Sequence, residues 1–117
     1  MIEDAHEHSI LETVKDQLGD TMYGEDFDND LIPLINMYLM ILYQLGVGKD
    51  GFMITGPNET WEDFETDIKR LEAAKSYVFI RTKLIFDPPA SQAVLNAYTD
   101  MYKEIESRLD MKVNSGY

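Results

Sequence analysis

Apolar positions along the chain fall into four helical stretches, and no stretch reads convincingly as a strand. The first covers residues 9–18. Ile10, Leu11, Val14 and Leu18 recur at helical spacing, and Gly19 is a natural stop. Ser9-Ile10-Leu11-Glu12 has the form of a capping box, in which hydroxyl and carboxylate satisfy each other's free backbone N–H groups. The second stretch covers residues 30–45, with Asp28 or Asp30 as candidate cap and Pro33 in the first turn, where its missing N–H costs nothing. Its apolar residues cover nearly every side. Such a helix should be buried all round, by its own fold or by a neighbouring subunit.

The third stretch reads as one long helix over residues 61–86, capped by Thr60 and stopped by Asp87-Pro88-Pro89. At 1.5 Å per residue it would span about 39 Å. Trp61, Phe64, Ile68, Leu71, Ala74, Val78 and Ile85 make one stripe, and Tyr77, Ile80 and Leu84 a second. The fourth covers residues 91–110, with Val94, Tyr98, Met101, Ile105 and Leu109 in line and Leu95 and Tyr102 beside them. Residues 46–59 lie between the second and third helices and read as a long ordered loop or a short hairpin. They carry Phe52, Met53 and Ile54, which would be costly to expose on a monomer, and packing against a neighbour is one way to hide them. The expectation is an all-α single domain over residues 1–117, with flexible ends at 1–8 and 111–117.

Composition changes this picture in two ways. With 117 residues and no Cys, disulfides, thiolate zinc sites and Cys nucleophiles are all excluded. The chain carries 22 acidic residues against 10 basic ones, a net charge of -12, which opposes unaided binding to nucleic acid or to an anionic membrane surface. The charge is uneven. Residues 1–30 hold ten acids and one Lys, whereas the rest of the chain is close to balanced. The uncharged run Leu31–Gly48 touches the lower length limit for a membrane span, but Pro33, Asn36 and Gln44 interrupt it and no basic cluster flanks it. The acidic start, Met1–His8, does not resemble a signal peptide.

Candidate chemistry fails on inspection. Asp26, Asp28 and Asp30 match the first ligand positions of a calcium loop, but Leu31 stands where Gly is needed and Met37 where Glu is needed. Gly48-Lys49 lacks the remainder of a phosphate loop. His6 and His8 lie before the first cap with no further ligands nearby. Carboxylates are abundant, yet none sits in the apolar context that would raise its pKa for acid catalysis. No catalytic residue, metal or cofactor is therefore expected, and the chain does not read as an enzyme. The surplus is apolar instead: seven Tyr, seven Met, five Phe and one Trp favour an oligomer.

In order along the chain stand Ser9-Ile10-Leu11, Asp30-Leu31-Ile32-Pro33-Leu34-Ile35-Asn36 and Leu45-Gly46-Val47-Gly48. Phe52-x-Ile54, Trp61-x-Asp63-Phe64, Leu71-x-x-x-Lys75-x-Tyr77-Val78 and Leu84-Ile85-Phe86-Asp87-Pro88-Pro89 follow. A final amphipathic helix ends at Arg108-Leu109. This succession resembles the small helical head–tail connector (adaptor) proteins of long-tailed phages and prophages, over residues 9–110. The resemblance implies a structural virion protein at the head–tail interface, present in the host cytoplasm before assembly. It implies a ring of about twelve subunits in the virion, between the portal and the next completion or tail protein, with either a monomer or a ring as the free form. Double-stranded DNA would pass through the ring without specific binding, and an acidic lumen would suit that. Expected inter-subunit or partner contacts are Phe52, Met53 and Ile54, with Met111, Val113 and Tyr117 in a docking tail. The competing class is an acidic DNA mimic that inhibits a nucleic-acid enzyme, although residues 31–60 hold only Asp50 and Glu59 as acids.

Overall fold

The computed structural model describes residues 8–19 and 27–114, with side chains as far as residue 111. Five helices and no strand occur among the described residues: α1 (Ile10–Leu18), α2 (Asp28–Gln44), α3 (Trp61–Phe64), α4 (Ile68–Phe86) and α5 (Gln92–Asn114). The fold is all-α.

At the start of α1, the Ser9 hydroxyl accepts the Glu12 N–H at 3.1 Å. The four apolar residues of its stripe are all buried. α2 begins earlier than its pattern suggests, and neither candidate Asp caps it. Phe27 holds the cap position without a side-chain bond, while Asp28 and Asp30 lie in the first turn, where their charge suits the helix dipole. Asp28 also meets Lys15 at 2.8 Å and so ties α2 to α1. Gly46, at φ +93°, lets the chain leave the end of α2.

The long third helix is not one rod. It breaks at residues 65–67 into α3 and α4. Thr60 forms a capping box with Asp63, as expected. The backbone then turns extended at Glu65, and Asp67 caps a new helix by accepting the Arg70 N–H at 3.0 Å. Short polar side chains that bond nearby backbone compete with helix continuation, and Asp67 does so here. The Glu65 carboxylate fixes the corner. One oxygen accepts the Asp67 N–H at 3.0 Å, and the other accepts the Gly48 N–H at 2.8 Å. Ile68, expected on the buried stripe, is left 75% exposed as the first residue of α4, and Ile85 near its other end is 56% exposed. α5 runs past the expected end at Asp110 to Asn114, so residues 111–114 extend the helix. No Gly or Pro precedes Gly116 to stop it.

α4 is the central post. α1, α2 and α5 pack round it, and α3 closes one end. The core gathers Ile10, Leu11, Leu31, Ile35, Leu39, Leu42, Trp61, Phe64 and Val78 from four of the helices, with Val47 and Ile54 from the loop. Each such side chain contributes about 1.5–3 kcal/mol on burial, against about 0–1 kcal/mol for an exposed ion pair such as Glu104–Arg108. Burial, not surface charge, therefore holds the fold. Residues 46–59 form an ordered loop rather than a hairpin. Its end is tied to α1 by the Ile10 N–H donating to the Glu59 carbonyl at 3.1 Å, next to an isolated bridge between Ser9 and Thr60.

Candidate functional site

α2 is apolar on every side, but α1, α4 and α5 cover only part of it. Met37, Met40 and Tyr43 remain 41%, 54% and 42% exposed. The loop over residues 49–53 stands opposite them and makes the second wall of a groove of about 390 Å³. Phe52 and Met53 line that wall, with Lys49 and Asp50 beside them.

The walls are fixed from below. Asn36, in the groove floor, donates its amide to the Ile54 carbonyl at 3.0 Å and accepts the Ile54 N–H at 2.8 Å. That exchange is the hydrogen bonding a neighbouring strand would supply. It presses Ile54 into the core and leaves Met53, its neighbour on the extended chain, pointing the other way. Phe52 packs its ring on Phe64 at 5.3 Å between centroids. Gly48 lies so close to the same ring that a Cβ there would stand 2.2 Å from Phe64 carbons. A groove held by two backbone hydrogen bonds and an aromatic pair is preformed, and its Met side chains adapt to what they meet.

The expected contact residues divide accordingly. Met53 is 61% exposed on the groove wall, and Phe52 is half-buried between the groove and Phe64. Ile54 is 1% exposed and belongs to the chain's own core. Met111 is 67% exposed on α5. The side chain of Val113 and the whole of Tyr117 lie outside the described residues, as do His6 and Asp26. Met37, Met40 and Tyr43 complete the groove but were not among the expected contacts. Their signal was the apolar coverage of α2 on all sides.

A second cluster joins α2, α4 and α5. The Arg81 guanidinium lies over the rings of Tyr102 at 4.2 Å, Tyr38 at 4.9 Å and Tyr77 at 5.6 Å. It donates to the Tyr77 hydroxyl and to Glu106 Oε2, each at 3.0 Å. Tyr77 in turn donates to the same Glu106 oxygen at 2.5 Å. Burial, then the hydrogen bond to a carboxylate, holds the Tyr77 phenol far above its ordinary range, and burial also raises Tyr38. These groups bond chiefly to one another, and so tie α2, α4 and α5 together. Glu59 is similar in kind. Slight burial pushes its carboxyl up, but the Thr55 hydroxyl and N–H, donating to Oε2 at 2.8 and 3.1 Å, outweigh that and hold it below the usual range.

Among the described residues no group of three or more His, Cys, Asp or Glu side chains converges as a metal site. No helix there is long and apolar enough to cross a membrane. The class these features describe is a small helical body with a preformed apolar groove on one side. The model of the phage connector protein family matches residues 10–116, and the chain belongs to this family of head–tail connectors. Neither a curated protein nor a solved structure matches it. The family is structural and non-enzymatic, and its place is in the virion, with portal and tail as neighbours.

Proposed function

We propose that the chain is a single connector domain, made in the host cytoplasm, that assembles as a ring between portal and tail. The ring extends the DNA channel and docks the next completion or tail protein. The observation that carries this reading is the groove of Met37, Met40, Tyr43 and Met53, left without a partner in a chain of the connector family. A clustered apolar surface of this kind marks a protein interface. The charge supports the channel role, because a net charge of -12 repels DNA phosphates and avoids the salt-dependent grip of Lys and Arg clusters.

Negative-stain microscopy of the protein alone and mixed with its portal tests the reading. Rings, or caps on the portal, are expected. A chain that stays monomeric with the correct portal, or that binds DNA tightly at physiological salt, would sink it. Inhibition of a nuclease in the same preparations would point to the DNA-mimic class instead.

A further inference from the structure

We infer that the groove beside α2 is an oxidation-sensitive site: peroxide converts Met37, Met40 and Met53 to sulfoxides on the folded chain and turns an apolar surface polar without opening the core. The observation is where this chain keeps its sulfur. Met is usually a core residue. Here all five Met among the described residues, Met37, Met40, Met53, Met101 and Met111, are exposed. The core is built instead from Ile, Leu, Val, Ala and aromatic side chains. A cysteine thiolate is ordinarily the first sulfur to react, and the chain has no Cys to compete for the oxidant.

Three of the five exposed thioethers line one groove, two from α2 and one from the facing loop. In the reaction a thioether Sδ attacks one oxygen of hydrogen peroxide. An S–O bond forms and the O–O bond breaks. The proton on the transferred oxygen passes to the other oxygen, which leaves as water. Sulfur loses two electrons and peroxide gains them. A flexible apolar side chain becomes a polar one, and a reductase can reverse the change. Neither wall depends on these side chains for its place. The loop is held by Asn36 bonding the Ile54 backbone and by Phe52 packing on Phe64. The fold therefore survives a change that the groove's contact surface does not. The effect on assembly rests on the portal–tail reading above.

Hydrogen peroxide itself is the probe. The folded chain is treated, freed of peroxide, mapped for sulfoxides by mass spectrometry, melted, and mixed with portal for microscopy. Met37→Leu/Met40→Leu/Met53→Leu and Met101→Leu/Met111→Leu proteins are carried alongside, since Leu keeps each position apolar at similar volume and takes no oxygen. Sulfoxide is expected at Met37, Met40 and Met53, with a melting temperature within about 3 °C of the untreated chain's. The treated wild-type chain and the α5 double variant should need at least about tenfold more protein to cap the portal, the effect of one unmatched polar group in a contact. The groove triple variant should cap as before, and methionine sulfoxide reductase should restore the wild-type chain. Unmodified groove Met, a larger fall in melting temperature, or equal loss of capping in the triple variant would overturn the inference. An untreated chain that never caps the portal overturns the assembly reading, while the sulfoxide map and the melt still decide the site by themselves.

Discussion

The side-chain amide of Asn36 is paired, donor to acceptor and acceptor to donor, with the backbone of Ile54, eighteen residues on. One polar residue in an apolar helix thus sets the position of a whole loop. Replacing it with Leu leaves a buried N–H and C=O without partners, which costs about 1–3 kcal/mol. Urea unfolding of Asn36→Leu should show that loss. The released loop should also become open to proteases at Phe52, which the wild-type chain should resist.

Gly48 is constrained twice. Its φ of +91° disfavours any side chain, and a Cβ would meet the Phe64 ring. Strain and overpacking together should cost Gly48→Ala about 2–4 kcal/mol. Phe64→Leu in the same background should recover part of that loss if the clash is the cause. No recovery in a thermal melt would assign the whole effect to the backbone.

Trp61 is the single Trp, buried with its indole N–H donating to the Thr13 hydroxyl at 2.9 Å. Thr13→Val keeps the shape and removes the acceptor, at about 1–2 kcal/mol. The fluorescence of Trp61 should still be that of a buried indole. A red-shifted spectrum would mean that α3 had come away from α1 altogether.

Alkaline stability follows from the tyrosine cluster. The Tyr77 and Tyr38 phenols are held above their ordinary value of 10.0 by burial, with Glu106 adding to the shift at Tyr77. A raised folded pKa gives stability that is whole below the unfolded value and is lost as pH rises towards the folded one. Melting temperature should therefore fall as pH climbs above about 10, and less steeply in Tyr77→Phe. Equal slopes in the two proteins would mean that Tyr77 ionises as freely folded as unfolded.

Met40 and Met53 contribute little to the isolated chain, being exposed. Met40→Lys and Met53→Lys should change stability by no more than about 0.5 kcal/mol. Both should nevertheless weaken assembly on the portal. A marked drop in melting temperature would show instead that the groove helps to hold its own fold.

Much of the architecture was legible because buried faces repeat at helical spacing. Ser9, Thr60 and Pro88 marked boundaries, and the stripes of α1 and of the middle of α4 were read correctly. The corner at residues 65–67 was not, since the apolar period runs straight through it. Its cause is a set of long-range and local hydrogen bonds that the Glu65 and Asp67 carboxylates accept from backbone N–H groups, which periodicity cannot register. The groove was half legible. Met53 and Phe52 stood out in a Gly-rich loop. The outward side of α2 did not, because a helix apolar all round gives no sign of which side its own fold leaves bare. The Arg81 cluster draws on residues up to 68 positions apart, from Tyr38 to Glu106, and no local motif announces it.

α5 is bound differently from the other long helices. None of its described side chains is fully buried, and it is held along one side by Tyr102, Ile105, Leu109 and the Glu106–Arg81 pair. Its amides should exchange faster than those of α1, α2 and α4, which carry the core. The molecule then has a stiff hub and a softer arm. Rocking of that arm would change the outline of the molecule while its core stays shut.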